Sequence, residues 1–226
     1  MIGNIGGAGP LASALLYELV IEEHYRRTQE GQLCPLPEIL LFNHAFTRGL
    51  TLEESTANHT CLASELEACI RQLRKAGATR ICLACNTLHS LLPRPLSPDF
   101  IHLPQRVIAA LHQQKVVKAG VLSTETTKQA GLYSDPAIEF VYPSEEEQRL
   151  INSVLDRILE GRIQDSDRRC VQKIMQNMRV RHGSTAFVLG CTDLPVLHRR
   201  YPLQTAGICV FDSIRILAEE ILGAIK

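Results

Sequence analysis

The sequence predicts an α/β fold made of two similar lobes, each a parallel sheet flanked by helices, related by a pseudo-twofold with a cleft between them. Three observations predict it. Short apolar runs alternate along the chain with longer amphipathic stretches, the pattern of strands joined by covering helices. Two of those runs end in near-duplicate polar turns, Cys82-Leu83-Ala84-Cys85-Asn86-Thr87 and Val188-Leu189-Gly190-Cys191-Thr192-Asp193. Their cysteines, Cys85 and Cys191, stand 106 positions apart in a chain of 226 residues, the size of a small domain.

The elements follow in order. A strand over 1–5 enters a glycine-rich turn, and Pro10 sits where the first turn of a helix over 11–29 has an unused N–H. A second strand covers 39–42. Thr51 and Glu54 form a capping-box pattern for a helix over 52–76, which Gly77 ends. The third strand carries Cys85 at its C-terminal end, and a short strand over 101–103 precedes a helix from Pro104 to Gln114. In the second half, strands are expected at 116–122, 138–141 and 186–189, and a short helix at 124–131. A helix opened by the Ser144/Glu147 capping box runs to 160, and Asp165 caps the next one. The lobes are expected at 1–104 and 105–208, with the closing segment 209–226 a helix that packs back on the first lobe.

Composition narrows the function. The hydrophobic fraction of 45% and charged fraction of 21% are those of a globular protein, which excludes disordered and fibrous classes. Acidic and basic residues balance at 24 each, so no basic field would hold the chain on nucleic acid or on an anionic membrane. A small-molecule ligand is expected. The N-terminus lacks the basic and apolar regions of a secretory signal, and nothing approaches the apolar run of about 20 residues that a membrane span needs. The eight cysteines are scattered through helices and strands, which fits free thiols in a reducing, cytoplasmic setting.

Ligands bind beyond the carboxyl ends of the strands in open parallel sheets, and Cys85 and Cys191 both fall there. Backbone N–H groups at a helix start lower a thiol's pKa and attract a carboxylate, so one geometry serves a reactive thiolate and an acid ligand. A single buried cysteine is more often a small core hydrophobe; the duplicated setting argues for chemistry.

These residues carry a family resemblance. Ala84-Cys85-Asn86-Thr87-Leu88-His89 resembles the A-C-N-T-A-H motif of the aspartate/glutamate racemases, and Leu189-Gly190-Cys191-Thr192-Asp193-Leu194-Pro195 their L-G-C-T-E-L-P motif. Ile5-Gly6-Gly7-Ala8-Gly9-Pro10-Leu11-Ala12-Ser13 is similar to their glycine-rich loop, Val121-Leu122-Ser123-Thr124-Glu125-Thr126-Thr127 to a later L-L-G-T-x-x-T segment, and Val210-Phe211-Asp212-Ser213 to V-F-D-T. The resemblance implies a homodimeric amino-acid racemase that works without pyridoxal phosphate or metal, closest to aspartate racemase. It implies Cys85 and Cys191 as the two bases on opposite faces of Cα, and Asp193, where relatives carry Glu or His, beside the second thiol. It further implies Asn86, Thr87 and Thr192 as α-carboxylate ligands, with Gly7, Ala8, Thr124 and Thr127 lining the substrate, and Arg48 as the cation for its distal carboxylate. Ala8 replaces a loop methionine, and no lysine occurs near Leu159-Glu160-Gly161-Arg162, where some relatives have one; Arg162 could substitute only with a shifted alignment. Aspartate is favoured over glutamate or a broad substrate range.

Competing readings make different predictions. Gly7-Ala8-Gly9-Pro10-Leu11-Ala12 fits a relaxed dinucleotide-binding pattern, with Glu30 as a ribose ligand, but Glu30 precedes the second strand instead of ending it. Cys82-x-x-Cys85 with His89 could hold zinc, yet alternation in a strand points the two thiols to opposite faces. His89 is expected to be structural. A non-catalytic carboxylate-binding protein would need the donors but not both thiols. Other two-cysteine isomerases share the architecture.

Overall fold

Parallel strands covered by helices on both faces need apolar side chains on both faces, and the strand sequences have them. The computed structural model describes residues 1–32, 35–47, 52–93, 95–204 and 206–223, with only the backbone of 52–57. The first half runs β1 (Ile2–Gly6), α1 (Pro10–Gln29), β2 (Ile39–Asn43), α2 (Leu52–Lys75), β3 (Arg80–Leu83), a 3₁₀ helix (Thr87–Leu91), β4 (Phe100–Ile101) and α3 (Leu103–Gln113). The second runs β5 (Lys118–Leu122), α4 (Glu125–Gln129), β6 (Glu139–Val141), α5 (Glu145–Leu159), α6 (Asp165–His182), β7 (Ala186–Leu189), α7 (Asp193–Arg200), β8 (Cys209–Asp212) and α8 (Ser213–Gly223).

The strands form two four-stranded sheets in the orders β2-β1-β3-β4 and β6-β5-β7-β8, parallel throughout. The two orders are the same pattern used twice. Strand order reverses between β1 and β3, and between β5 and β7, which opens a crevice at the carboxyl ends of each pair. Both cysteine turns begin at such a point.

Period-two alternation sorts the side chains. In β3, Cys82 faces a central core while Ile81 and Leu83 face α2; in β7, Ala186 and Val188 face the central core while Phe187 and Leu189 face α5 and α6. The central core also takes in α1, α3 and α8, so one helical layer serves both sheets. α8 buries Ile214, Leu217, Ala218, Ile221 and Leu222, the i, i+3, i+4, i+7, i+8 set of one helix face. Each large apolar side chain in that face contributes about 1.5–3 kcal/mol. α8 packs on α1 and α3.

Three expectations need correction or fall outside the description. Residues 209–212, expected to begin the closing helix, are instead strand β8: they pair with β7, and the helix starts at Ser213. Asp165 lies within the first turn of α6, and Asp167 Oδ2 accepts the Gln164 N–H at 2.9 Å. The Thr51/Glu54 capping pattern lies outside the described residues. The Ser144/Glu147 box is formed, Ser144 Oγ accepting from the Glu147 N–H at 3.3 Å and Glu147 Oε2 from the Ser144 N–H at 2.9 Å. Among the described residues no helix is long and apolar enough to cross a membrane.

Candidate active site

Cys85 and Cys191 each stand two residues beyond the end of their strand, β3 and β7. The chain leaves each sheet still tied to it: the Ala84 N–H donates to Ile5 O at 3.0 Å, and the Gly190 and Cys191 N–H groups donate to Leu122 O at 2.8 and 3.1 Å. Cys85 and Cys191 are each only 7% exposed. Cys85 lies close enough to Cys191 for a charge on it to oppose ionisation of Cys191. The two turns, remote in sequence, therefore bring their thiols within electrostatic reach of each other.

The second lobe grips the turn that carries Cys85. Thr192 Oγ1 donates to Ala84 O at 3.3 Å, and the Tyr133 hydroxyl donates to Asn86 Oδ1 at 2.9 Å. Thr87 Oγ1 lies 3.0 Å from Thr124 Oγ1 and 3.3 Å from Thr127 Oγ1, a hydroxyl cluster joining the lobes. Asn86, Thr87, Thr127, Thr192 and Asp193 are buried. The Nδ2 of Asn86 has no hydrogen-bond partner among the described residues, which leaves a buried donor unpaired in the site.

His89 fastens the turn from below. Its Nε2 accepts the Leu103 N–H at 3.1 Å, so Nδ1 carries the hydrogen and donates to Cys85 O at 2.6 Å. Burial pushes the imidazole down to about 3, so it is neutral. It positions the backbone of Cys85 and contributes no charge.

On the other side, Gly7 and Gly9 let the loop after β1 close in. Gly7 has φ +105°, and a Cβ there would sit 1.9 Å from the His44 carbonyl oxygen. A Cβ on Gly9 would sit 2.6 Å from Asp193 Oδ1, so the absence of a side chain makes room for that carboxylate. Ser13 holds the loop, accepting the Gly7 N–H at 3.3 Å and donating to Gly9 O at 3.2 Å. Ala8 packs at the edge of the core around β1 and α2.

Asp193 couples to both thiols. Cys191 Sγ donates to Asp193 Oδ2 at 3.6 Å. Burial raises the Asp193 carboxyl to about 6, with the Cys191 bond opposing the rise. Burial pushes Cys85 up to about 12; the N–H groups of Leu88 and Thr87 oppose this and the Asp193 charge adds to it. Cys191 is raised well above the ordinary thiol range, by burial first and then by Asp193, with the Asp193 N–H opposing. Both thiols, raised in this way, hold their protons at neutral pH.

Other candidates lie elsewhere. Arg48 is outside the described residues. Arg162 is exposed beyond α5 and pairs with Glu160. Glu30 pairs with Arg26 at 2.6 Å at the end of α1, away from any strand end. Cys82 points into the central core and donates to Asn4 Oδ1 at 3.7 Å, whereas Cys85 belongs to the cluster around α2. No group of three or more His, Cys, Asp or Glu side chains able to share a metal ion occurs among the described residues. A surface cleft of about 250 Å³, lined by Arg71, Arg74, Leu92, Pro95 and Phe100 among others, shares no residue with the two cysteine turns. Tyr133 was not singled out from the sequence, because only tertiary contact reveals its place.

Two parallel-sheet lobes that present thiols from equivalent strand ends, with one carboxylate acting on both, define a two-cysteine α/β protein. The chain matches the Asp/Glu/Hydantoin racemase family over residues 5–221, and it belongs to that family. It is 26% identical over 166 residues to a glutamate racemase of Aquifex aeolicus, a match covering 70% of this chain and 63% of that protein's length. Among solved structures it is similar to Picrophilus torridus aspartate racemase, with a TM-score of 0.77, 20% identity and coverage of 99% of this chain and 93% of that one. A Francisella tularensis glutamate racemase in complex with D-glutamate matches with a TM-score of 0.69, 13% identity and coverage of 99% and 80%.

Proposed function

We propose that this chain is an amino-acid racemase that interconverts L- and D-aspartate, or glutamate, by two-base proton transfer between Cys85 and Cys191. The observation that carries the reading is the pair of buried thiols delivered from equivalent points of two sheets, with Asp193 acting on both. One thiolate takes the Cα proton, and the electron pair moves into the α-carboxylate as an enediolate. The opposite thiol then gives its proton to the other face of Cα and becomes the thiolate. Asp193 takes the Cys191 proton when Cys191 acts as base. Asn86, Thr87 and Thr192 hold the α-carboxylate and its developing charge, with Gly7, Ala8, Thr124 and Thr127 around it.

The energetics require the substrate to assist. Ionising a thiol held at about 12 costs about 7 kcal/mol at pH 7. A substrate ammonium about 4 Å away returns roughly 4 kcal/mol at an effective dielectric of 20. Substrate binding thus lowers the cost of forming the thiolate to about 3 kcal/mol, which the site's backbone N–H groups must help to offset.

The division into two lobes after residue 104, with β8 in the second lobe and the closing helix returning to the first, a homodimer, a cytoplasmic setting, chemistry without pyridoxal phosphate and Arg48 as the distal-carboxylate ligand belong to the proposal. The test is incubation with each enantiomer of aspartate and of glutamate in deuterated water. Product should gain α-deuterium as it inverts, and Cys85→Ala or Cys191→Ala should each abolish inversion. No α-exchange with any amino acid would sink the racemase reading; exchange with glutamate alone would move the substrate.

A further inference from the structure

Asn86 presents an amide whose two ends have nearly the same shape and opposite hydrogen-bonding character. A donor stabilises an enediolate; an amide turned the other way would aim oxygen at it. Asn86 is 1% exposed and Tyr133 3%, and the Tyr133 hydroxyl donates to Asn86 Oδ1 at 2.9 Å. That bond leaves Nδ2 as the free end, and Nδ2 is the site's buried donor without a partner. Tyr133 follows α4 in the second half of the chain, whereas Asn86 follows β3 in the first, so the bond forms only when the lobes meet. The ring is accommodated because residue 190, next to Cys191, is glycine: a Cβ there would lie 3.2 Å from Tyr133 Cε2 and 2.9 Å from Val121 Cγ1.

We infer that Tyr133 is a positioning residue that fixes the Asn86 amide with its NH₂ group toward the reacting carboxylate. The inference rests on the reading of Asn86 as a carboxylate ligand. Loss of the hydroxyl leaves the side chain free to turn its oxygen toward the enediolate, so the damage appears in kcat more than in KM.

The experiment is a double-mutant cycle on inversion of the amino acid that the wild-type enzyme turns over, with urea midpoints to confirm folding. Tyr133→Phe should lower kcat about tenfold, the weight of one neutral hydrogen bond, with KM within threefold. Asn86→Ala should cost about 10²–10³ in kcat, as removal of an oxyanion donor does. In the Asn86→Ala background, Tyr133→Phe should change nothing further. A wild-type rate in Tyr133→Phe overturns the inference, and so does full additivity in the double variant. Full activity in Asn86→Ala would instead remove Asn86 from the carboxylate site. A neutron structure of the deuterated protein decides the orientation whatever the substrate: a deuteron on Tyr133 Oη directed at Asn86 Oδ1 is expected, and amide deuterons directed at Tyr133 would overturn the assignment.

Discussion

Replacing Asp193 with Asn should separate activity from stability. The residue is 8% exposed, and burial raises its carboxyl to about 6, against 3.8 for the free side chain. The sign follows from linkage: between pH about 4 and about 6 the folded state binds more protons than the unfolded one, so this group makes stability fall as pH rises. The loss is complete above the folded value and amounts to about 3 kcal/mol at most. An amide of the same shape carries no charge, so Asp193→Asn should be more stable than wild type at pH 7.5, by up to about 3 kcal/mol, and no more stable at pH 4. Activity should move the other way. The Asn cannot take the Cys191 proton, and loss of a general base costs about 10²–10⁴. Because the two enantiomers have equal free energy, kcat/KM must fall equally in both directions. The asymmetry belongs to one-sided α-deuterium exchange, which should survive better for the enantiomer whose proton goes to Cys85. The wild-type kcat/KM should rise with pH through about 6, and the variant should lack that limb. Urea unfolding at pH 4 and 7.5 and chiral product analysis in deuterated water read all of these. A variant with wild-type kcat/KM would refute the role of Asp193, and one destabilised at pH 7.5 would refute the buried-charge argument.

Other residues give independent checks. Gly9→Ala places a methyl 2.6 Å from the present position of Asp193 Oδ1, so it should reproduce the activity loss of Asp193→Asn with both thiols still present to thiol titration. His89 is neutral in the fold and held down to about 3 by burial, while the unfolded side chain protonates near 6.5. Its stabilisation is present above about 6.5 and lost as pH falls toward 3, by up to about 5 kcal/mol; the pH slope of urea stability should flatten in His89→Gln. His89→Ala should cost about 2–4 kcal/mol at pH 7, because it strands the Leu103 N–H and the Cys85 carbonyl, and calorimetry would show it.

Much of the fold was legible because its strands and helices differ in apolar period. The strand over 186–189 and the α5 capping box are local patterns, and local patterns survive folding. β8 was missed for a physical reason: Cys209–Asp212 run directly into α8 with no turn residue between, so their apolar run reads as the start of that helix, whereas the strand over 186–189 is set off by Gly190. Cys85, Cys191, Asn86, Thr87 and Thr192 were named from their turns, and the structure buries all five. His89 was expected to be structural, and its bonds to Cys85 O and from the Leu103 N–H give it that role.

The sequence by itself determined the alternation of elements, the two equivalent thiol turns and the family, since each is written in neighbouring residues. Only the tertiary structure decided that Tyr133 meets Asn86, that Gly9 yields its space to Asp193, and that a carboxylate sits beside two protonated thiols at a raised pKa. Those facts depend on which layers pack together and on how much water is excluded between them. Neither is a property of any short stretch of chain.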